Sequence, residues 1–269
     1  MPRKIRLDIE YDGTSYHGWQ RQKNSSSIQQ AVEEALERII KEYRPVVAAS
    51  RTDRGVHALN QVAHFWTSSD IPDLKLLFAL NSALPKDIVV KNLKTANSDF
   101  HAMKKAHSKL YCYLIENGKF PTAHRRNISW WIPQKLNVEN MKTGAREFIG
   151  EKDFKSLMTG RNHLKSTTKI IFNIEIEETN NIIRILIHGN GFLKQMVRAI
   201  VGTLVQIGMG KISPKDLNSI LQSRERSKAG KNAPSKGLCL IKVFYEPREL
   251  KFETLSNLCR PANPLTFYH

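Results

Sequence analysis

Cysteine is scarce in this chain: Cys112, Cys239 and Cys259 are its three, an odd number with no C-x-x-C spacing. That excludes a disulfide framework and a paired-cysteine zinc site, and it fits a reducing compartment such as the cytoplasm. Long hydrophobic runs are missing as well. No segment approaches the roughly 20 apolar residues of a membrane helix. The opening Met1-Pro2-Arg3-Lys4-Ile5 enters a strand-like alternation without the apolar stretch of a signal peptide. Cofactor signatures are also lacking. There is no P-loop and no H-E-x-x-H, and Gly189-Asn190-Gly191 fails as a dinucleotide fingerprint because Gln195 and Met196 continue it. Chemistry must therefore come from side chains, with no metal and no small-molecule cofactor expected.

Acidic residues are the remaining shortage. Asp and Glu number 25 against 42 Lys and Arg, a net charge of +17 and a pI near 9.8. A field of this sign draws polyanions and strengthens phosphate contact. A membrane surface would ask for a basic amphipathic helix, and none is found, so nucleic acid is the expected partner. What the chain does have is bulk. Its 269 residues, 41% of them hydrophobic, suffice for one large domain or two ordinary ones.

Periodicity sketches the elements. Ile5, Leu7, Ile9 and Tyr11 alternate with Arg6, Asp8 and Glu10, a strand with one buried face. Ser25-Ser26-Ser27 offers a cap to a helix whose face is Ile28, Val32, Ala35, Leu36, Ile39 and Ile40, ending near Glu42. A second helix is predicted over 72–83, opening at Pro72, and a further strand over 87–93. Residues 97–109 are polar and basic and read as a crossing. Beyond them the order repeats: strand 110–116, helix 138–149, strands 168–177 and 181–188, helix 191–208 and strand 238–245. The basic stretch from Lys152 to Lys169 reads as a long mobile loop, able to grip a phosphate backbone or merely solvated. The prediction is an α+β fold with helices on one side of a mostly antiparallel sheet. Its organisation is expected to be 1–105 as an N-terminal half, 106–247 as a C-terminal half and 248–269 as an extension.

The chain is organised around Arg51-Thr52-Asp53-Arg54-Gly55-Val56-His57-Ala58. The apolar Val46-Val47-Ala48-Ala49 delivers it, and Gln61-Val62-Ala63-His64-Phe65-Trp66 alternates as the next strand. One carboxylate, Asp53, sits between Arg51 and Arg54, and neighbouring guanidinium groups favour the ionised form, which suits a nucleophile or a base. The competing reading is a solvated turn with an Asx-type hydrogen bond. The loop from Asp12 to Gln22 mixes aromatic, amide and basic groups, a mix that can stack on bases and pair phosphates.

This signature, together with Tyr11-Asp12-Gly13-Thr14 and Gly18-Trp19-Gln20, resembles that of the TruA family of tRNA pseudouridine synthases. The resemblance runs from Tyr11 to about Tyr245. Ser50 and Arg54 depart from it, standing where glycine, and alanine or lysine, are frequent. It implies an isomerase that turns uridine into pseudouridine in the anticodon stem-loop of tRNA, without a cofactor, as a homodimer whose two subunits share one tRNA. It also implies two similar halves in ferredoxin-like element order, sharing an extended sheet around a central catalytic cleft. Asp53 matches the family's catalytic Asp. Tyr111 matches its active-site tyrosine, Arg198 the arginine paired with that Asp, and Leu238 an apolar residue lining the uracil pocket. Arg51 and His57 share the signature, with phosphate contact or base extrusion as their implied work. A tyrosine buried in a strand core, a mid-helix arginine snorkelling to solvent and an ordinary strand leucine are the plain alternatives for Tyr111, Arg198 and Leu238.

Overall fold

The computed structural model describes residues 1–160 and 166–247; Cys259, the 248–269 extension and part of the predicted basic loop lie outside them. In chain order the elements are β1 (Arg3–Tyr11), α1 (Ile28–Ile40), β2 (Val47–Ala48), β3 (His57–Thr67), α2 (Asp73–Ala83) and β4 (Ile88–Ala96). Next come β5 (Ser108–Glu116), β6 (Trp130–Trp131), α3 (Val138–Arg146), β7 (Gly150–Asp153), β8 (Thr168–Thr179) and β9 (Ile182–Gly189). The last are α4 (Met196–Gly208), α5 (Leu217–Ser223) and β10 (Leu238–Phe244). No helix among the described residues is long and apolar enough to cross a membrane.

The chain forms two compact units of mixed α/β structure. The first contains residues 1–107 and takes back residues 239–247. Its strands run β4-β1-β3-β10, antiparallel except for the parallel β3–β10 pair, with β2 on β3. The alternation in β1 works as its pattern predicts: Ile5, Leu7 and Ile9 are fully buried, each contributing roughly 1.5–3 kcal/mol by leaving water. Helix α1 starts where the Ser27 hydroxyl accepts the Gln30 N–H and stops where Lys41 turns left-handed, at φ 57°. Its buried stripe of Ile28, Val32, Ala35 and Leu36 faces the core.

The second unit spans residues 108–238 and orders its strands β5-β9-β8-β7, antiparallel throughout, with β6 parallel to β5. Helix α4 is apolar nearly all round, and only Arg198 and Gln206 escape full burial. Cys112 in this unit and Cys239 in the first are buried core residues, as their apolar runs imply.

Two predicted segments are corrected. Helix α4 begins at Met196 rather than at 191, because Gln195 adopts a left-handed φ of 61° that no helix can continue through. The Gln195 Oε1 accepts a 2.6 Å bond from Asn232 Nδ2, which fixes that corner. The expected loop from Lys152 to Lys169 is partly regular. Residues 150–153 form β7 and pair with β8, whose backbone partners outweigh the polar composition.

Candidate active site

Asp53 sits in the connection from β2 to β3, and that connection is held from behind at its backbone. Gln61, fully buried in β3, donates from Nε2 to the Ser50 carbonyl at 2.6 Å and accepts the Ser50 N–H at 3.2 Å. One side-chain amide thus copies both bonds of a backbone pair. The Tyr11 and Thr52 hydroxyls lie 2.8 Å apart, the Trp19 N–H donates to the Thr52 carbonyl at 3.1 Å, and the Gly55 N–H to that of Tyr16 at 3.2 Å. A final bond from the Val56 N–H to the Asp53 carbonyl, 3.1 Å, closes the turn. Asp53 itself is half-buried, while Arg51 and Arg54 on either side are exposed.

The aromatic loop after β1 is the second wall of this turn. Backbone meets backbone there: a Cβ on Gly13 would run into the Val56 carbonyl, and one on Gly18 would meet the Thr52 carbonyl at 2.5 Å. Gly18 also needs its φ of +92°. Trp19 is buried beneath, 1% exposed, with its ring tilted against Tyr11 at 6.2 Å. His57 stands at the far end of the turn. It is 5% exposed, and its Nδ1 lies 3.0 Å from Asp12 Oδ1. The His57 hydrogen bond, opposed by partial burial and aided by the Thr14 hydroxyl and N–H, holds the Asp12 carboxyl well below the usual carboxylate range.

The second unit carries the other predicted residues. Tyr111 lies in β5, 6% exposed, its ring edge-to-face with Phe192 at 5.2 Å between centroids. Arg198, half-buried on α4, donates from Nε to the Ala233 carbonyl at 2.7 Å. The Tyr113 hydroxyl donates to the next carbonyl, Pro234, also at 2.7 Å, and burial pushes that phenol well above its ordinary value. Arg198 and Tyr113 together therefore pin the segment that leads into Leu238, which is 5% exposed at the start of β10.

The structure groups Arg51, Asp53 and His57 on one turn and places Tyr111, Arg198 and Leu238 in the other unit. Sequence reasoning missed Tyr11, Asp12, Thr52, Gln61 and Tyr113 as supports of these groups. Gln61 did carry a signal, since a polar residue beside Val62 and Ala63 in an apolar strand needs a dedicated partner. Tyr113 carried none, because its acceptor lies 121 residues away in sequence.

A carboxylate on a turn whose backbone is held this firmly, flanked in sequence by two arginines in a chain of charge +17, suits an enzyme that works on a polyanion. Comparison with known proteins agrees. The family model described as tRNA pseudouridine synthase matches residues 9–103 and 145–246. The tRNA pseudouridine synthase A of Acetivibrio thermocellus is 44% identical over 243 residues, 90% of this chain and 100% of the relative. Thermoanaerobacter sp. has one that is 45% identical, and Clostridium perfringens a tRNA pseudouridine synthase A 2 that is 46% identical, with the same coverage. The chain belongs to the tRNA pseudouridine synthase family, isomerases that act on tRNA.

Proposed function

We propose that this chain isomerises uridine to pseudouridine in the anticodon stem-loop of tRNA, with Asp53 as the group that attacks. Glycosidic bonds are inaccessible inside a stacked helix, so the target nucleotide must first be flipped out. Asp53 then acts on its ribose, as nucleophile at C1′ or as base at C2′, the C1′–N1 bond breaks, and the uracil turns over. A C1′–C5 bond forms, the C5 proton leaves, and N1 gains a proton. Substrate and product have the same atoms, so no co-substrate is consumed.

On this reading the ring of Tyr111 stacks on the freed uracil, an interaction worth about 1–3 kcal/mol per base, and its hydroxyl helps remove the C5 proton. Arg198 pairs with Asp53 to fix its rotamer, Leu238 lines the uracil pocket, and Arg51 contacts phosphate. His57, buried against Asp12, serves the turn from behind. Two halves in ferredoxin-like element order belong to this reading, and the enzyme works in the cytoplasm as a homodimer on one tRNA. The observation that carries the reading is the backbone clamp on the Asp53 turn, inside a region that the family model covers. Such rigidity is what a group needs if it must meet a sugar at one angle.

The test is Asp53→Asn, assayed by mapping new pseudouridines in unmodified tRNA. Loss of turnover on the order of a thousandfold or more is expected, with tRNA binding retained. Turnover near that of the unaltered protein would remove Asp53 from the chemistry.

A further inference from the structure

Three lysines of the second unit share one face of its sheet. The register sets Lys109 of β5 opposite Gly189 of β9, and Gly189 opposite Ile171 of β8. Paired residues in a sheet share a face, and so do residues two apart. Lys169, two residues before Ile171, is therefore on the Lys109 face, and Lys152 of β7 pairs directly with Lys169. Tyr111, two residues beyond Lys109 with no bulge between them, shares the face as well. From β7 to β5 the lysines span three strand spacings, about 14 Å, with Lys109 set two residues, about 7 Å, along the strands from the Lys152–Lys169 pair.

None of the three ammonium groups meets a carboxylate or any other hydrogen-bond partner among the described residues. The acids beside Lys152 are spent elsewhere. Glu151 and Asp153 fall on the opposite face by alternation, and Asp153 is held by Arg224 at 2.9 Å and by the Thr167 hydroxyl at 2.5 Å. Like charges directly opposite across two strands destabilise a sheet, yet Lys152 and Lys169 occupy such a pair. All three are half-buried rather than splayed into water. Burial, and to a lesser degree Lys169, pulls the Lys109 ammonium down to about 8. Three cations on one face, with no counter-ion among the described residues, await an anion.

We propose that Lys152, Lys169 and Lys109 form a phosphate track, which seats consecutive phosphodiesters of an RNA strand running across β7, β8 and β5 toward Tyr111. The ligand is a backbone rather than a lone phosphate, because the charges are spread along a row instead of converging on a point. Lysine also suits the task, contacting phosphate as a flexible point charge that carries no sequence preference. The inference rests on the RNA substrate proposed above and is independent of the chemistry at Asp53.

The experiment measures the affinity of the full chain for an unmodified tRNA across a salt series, for the unaltered protein, Lys169→Gln, and the triple Lys109→Gln, Lys152→Gln, Lys169→Gln. Each lysine that neutralises a phosphate contributes about 0.7–0.9 to the slope of log K against log salt. Loss of about that much in Lys169→Gln and of about two in the triple is expected. Lys142→Gln, an exposed helix lysine already paired with Glu139 at 2.8 Å, should keep the slope of the unaltered protein. Slopes unchanged in folded Lys169→Gln would overturn the track. Uridine monophosphate provides the second arm: equal weakening of mononucleotide and tRNA binding would mean a single phosphate pocket and no track. Melting of each variant is followed alongside, and if the triple does not fold, Lys169→Gln decides. A protein that shows these slopes but forms no pseudouridine would sink the enzymatic reading and leave the track standing, and the converse result would do the opposite.

Discussion

The Asp53 turn and the lysine row handle polar groups in opposite ways. Around Asp53 the Ser50 N–H and carbonyl and the Thr52 carbonyl find partners, and a buried glutamine is devoted to two of them. Lys152 and Lys169 face one another across two strands with Lys109 on the same face of the sheet, and none of the three meets an acid among the described residues. The first arrangement stabilises the protein in the absence of any ligand and fixes the backbone of the turn that carries Asp53. The second costs stability until something negative arrives. The contrast separates what a protein holds rigid for chemistry from what it leaves open for binding.

The sharpest way to break the comparison is to force the two walls of the Asp53 turn apart. Gly13→Ala places a methyl against the Val56 carbonyl, and overpacking against backbone should cost at least about 3 kcal/mol. Chemical denaturation would show it as a lower midpoint with an unchanged slope.

An acid titration probes a neighbouring seam of the same unit. Ala102 N–H donates to Nδ1 of buried His64 at 3.2 Å, so that nitrogen carries no proton. Burial chiefly, with His101 and Lys4 adding repulsion, lowers the imidazole to about 4. The unfolded chain binds this proton near 6.5, so it holds more protons than the folded state between those values and stability rises with pH there. Stability from His64 is therefore complete above about pH 6.5 and is lost as pH falls toward 4, by no more than about 3 kcal/mol. In His64→Gln, denaturation measured at pH 7 and at pH 4.5 should show a smaller difference than in the unaltered protein. An equal difference would assign the acid sensitivity elsewhere.

Removing the clamp is milder. Gln61→Leu removes the bonds that Gln61 makes to the Ser50 N–H and carbonyl, about 2 kcal/mol in total after relaxation, and should lower turnover as the Asp53 turn loosens. If activity is untouched while the melting temperature drops, Gln61 supports the fold alone. The smallest effect has the opposite sign. Lys169→Thr ends a like-charge pair on a strand and should raise stability by about 0.5 kcal/mol, visible as a slightly higher melting temperature. A stabilised lysine variant beside a destabilised glutamine variant would set the two regions apart by sign as well as size.

Much of this was legible early. Asp53 announced itself because an acid between two arginines before a glycine is a local pattern, and β1 and α1 because period 2 and period 3.6 depend on near neighbours alone. The start of α4 was misjudged because apolar spacing continues back through Phe192 while a left-handed Gln195 ends the helix. That corner depends on Asn232, which no periodicity reports. Strand β7 was hidden by its composition: Gly150-Glu151-Lys152-Asp153 has no strand-forming residue and is extended only because β8 supplies its partners.

By itself, the sequence determined a basic, cysteine-poor α/β chain with one arginine-flanked acid on a turn, since charge, periodicity and motif are properties of residues close in sequence. Only the tertiary structure decided that Gln61 would grip Ser50, that Tyr113 would reach Pro234, that β10 would return to lie along β3, and that three distant lysines would line up on one face. Those facts depend on strand register, and register is chosen by which faces bury together across long stretches of chain.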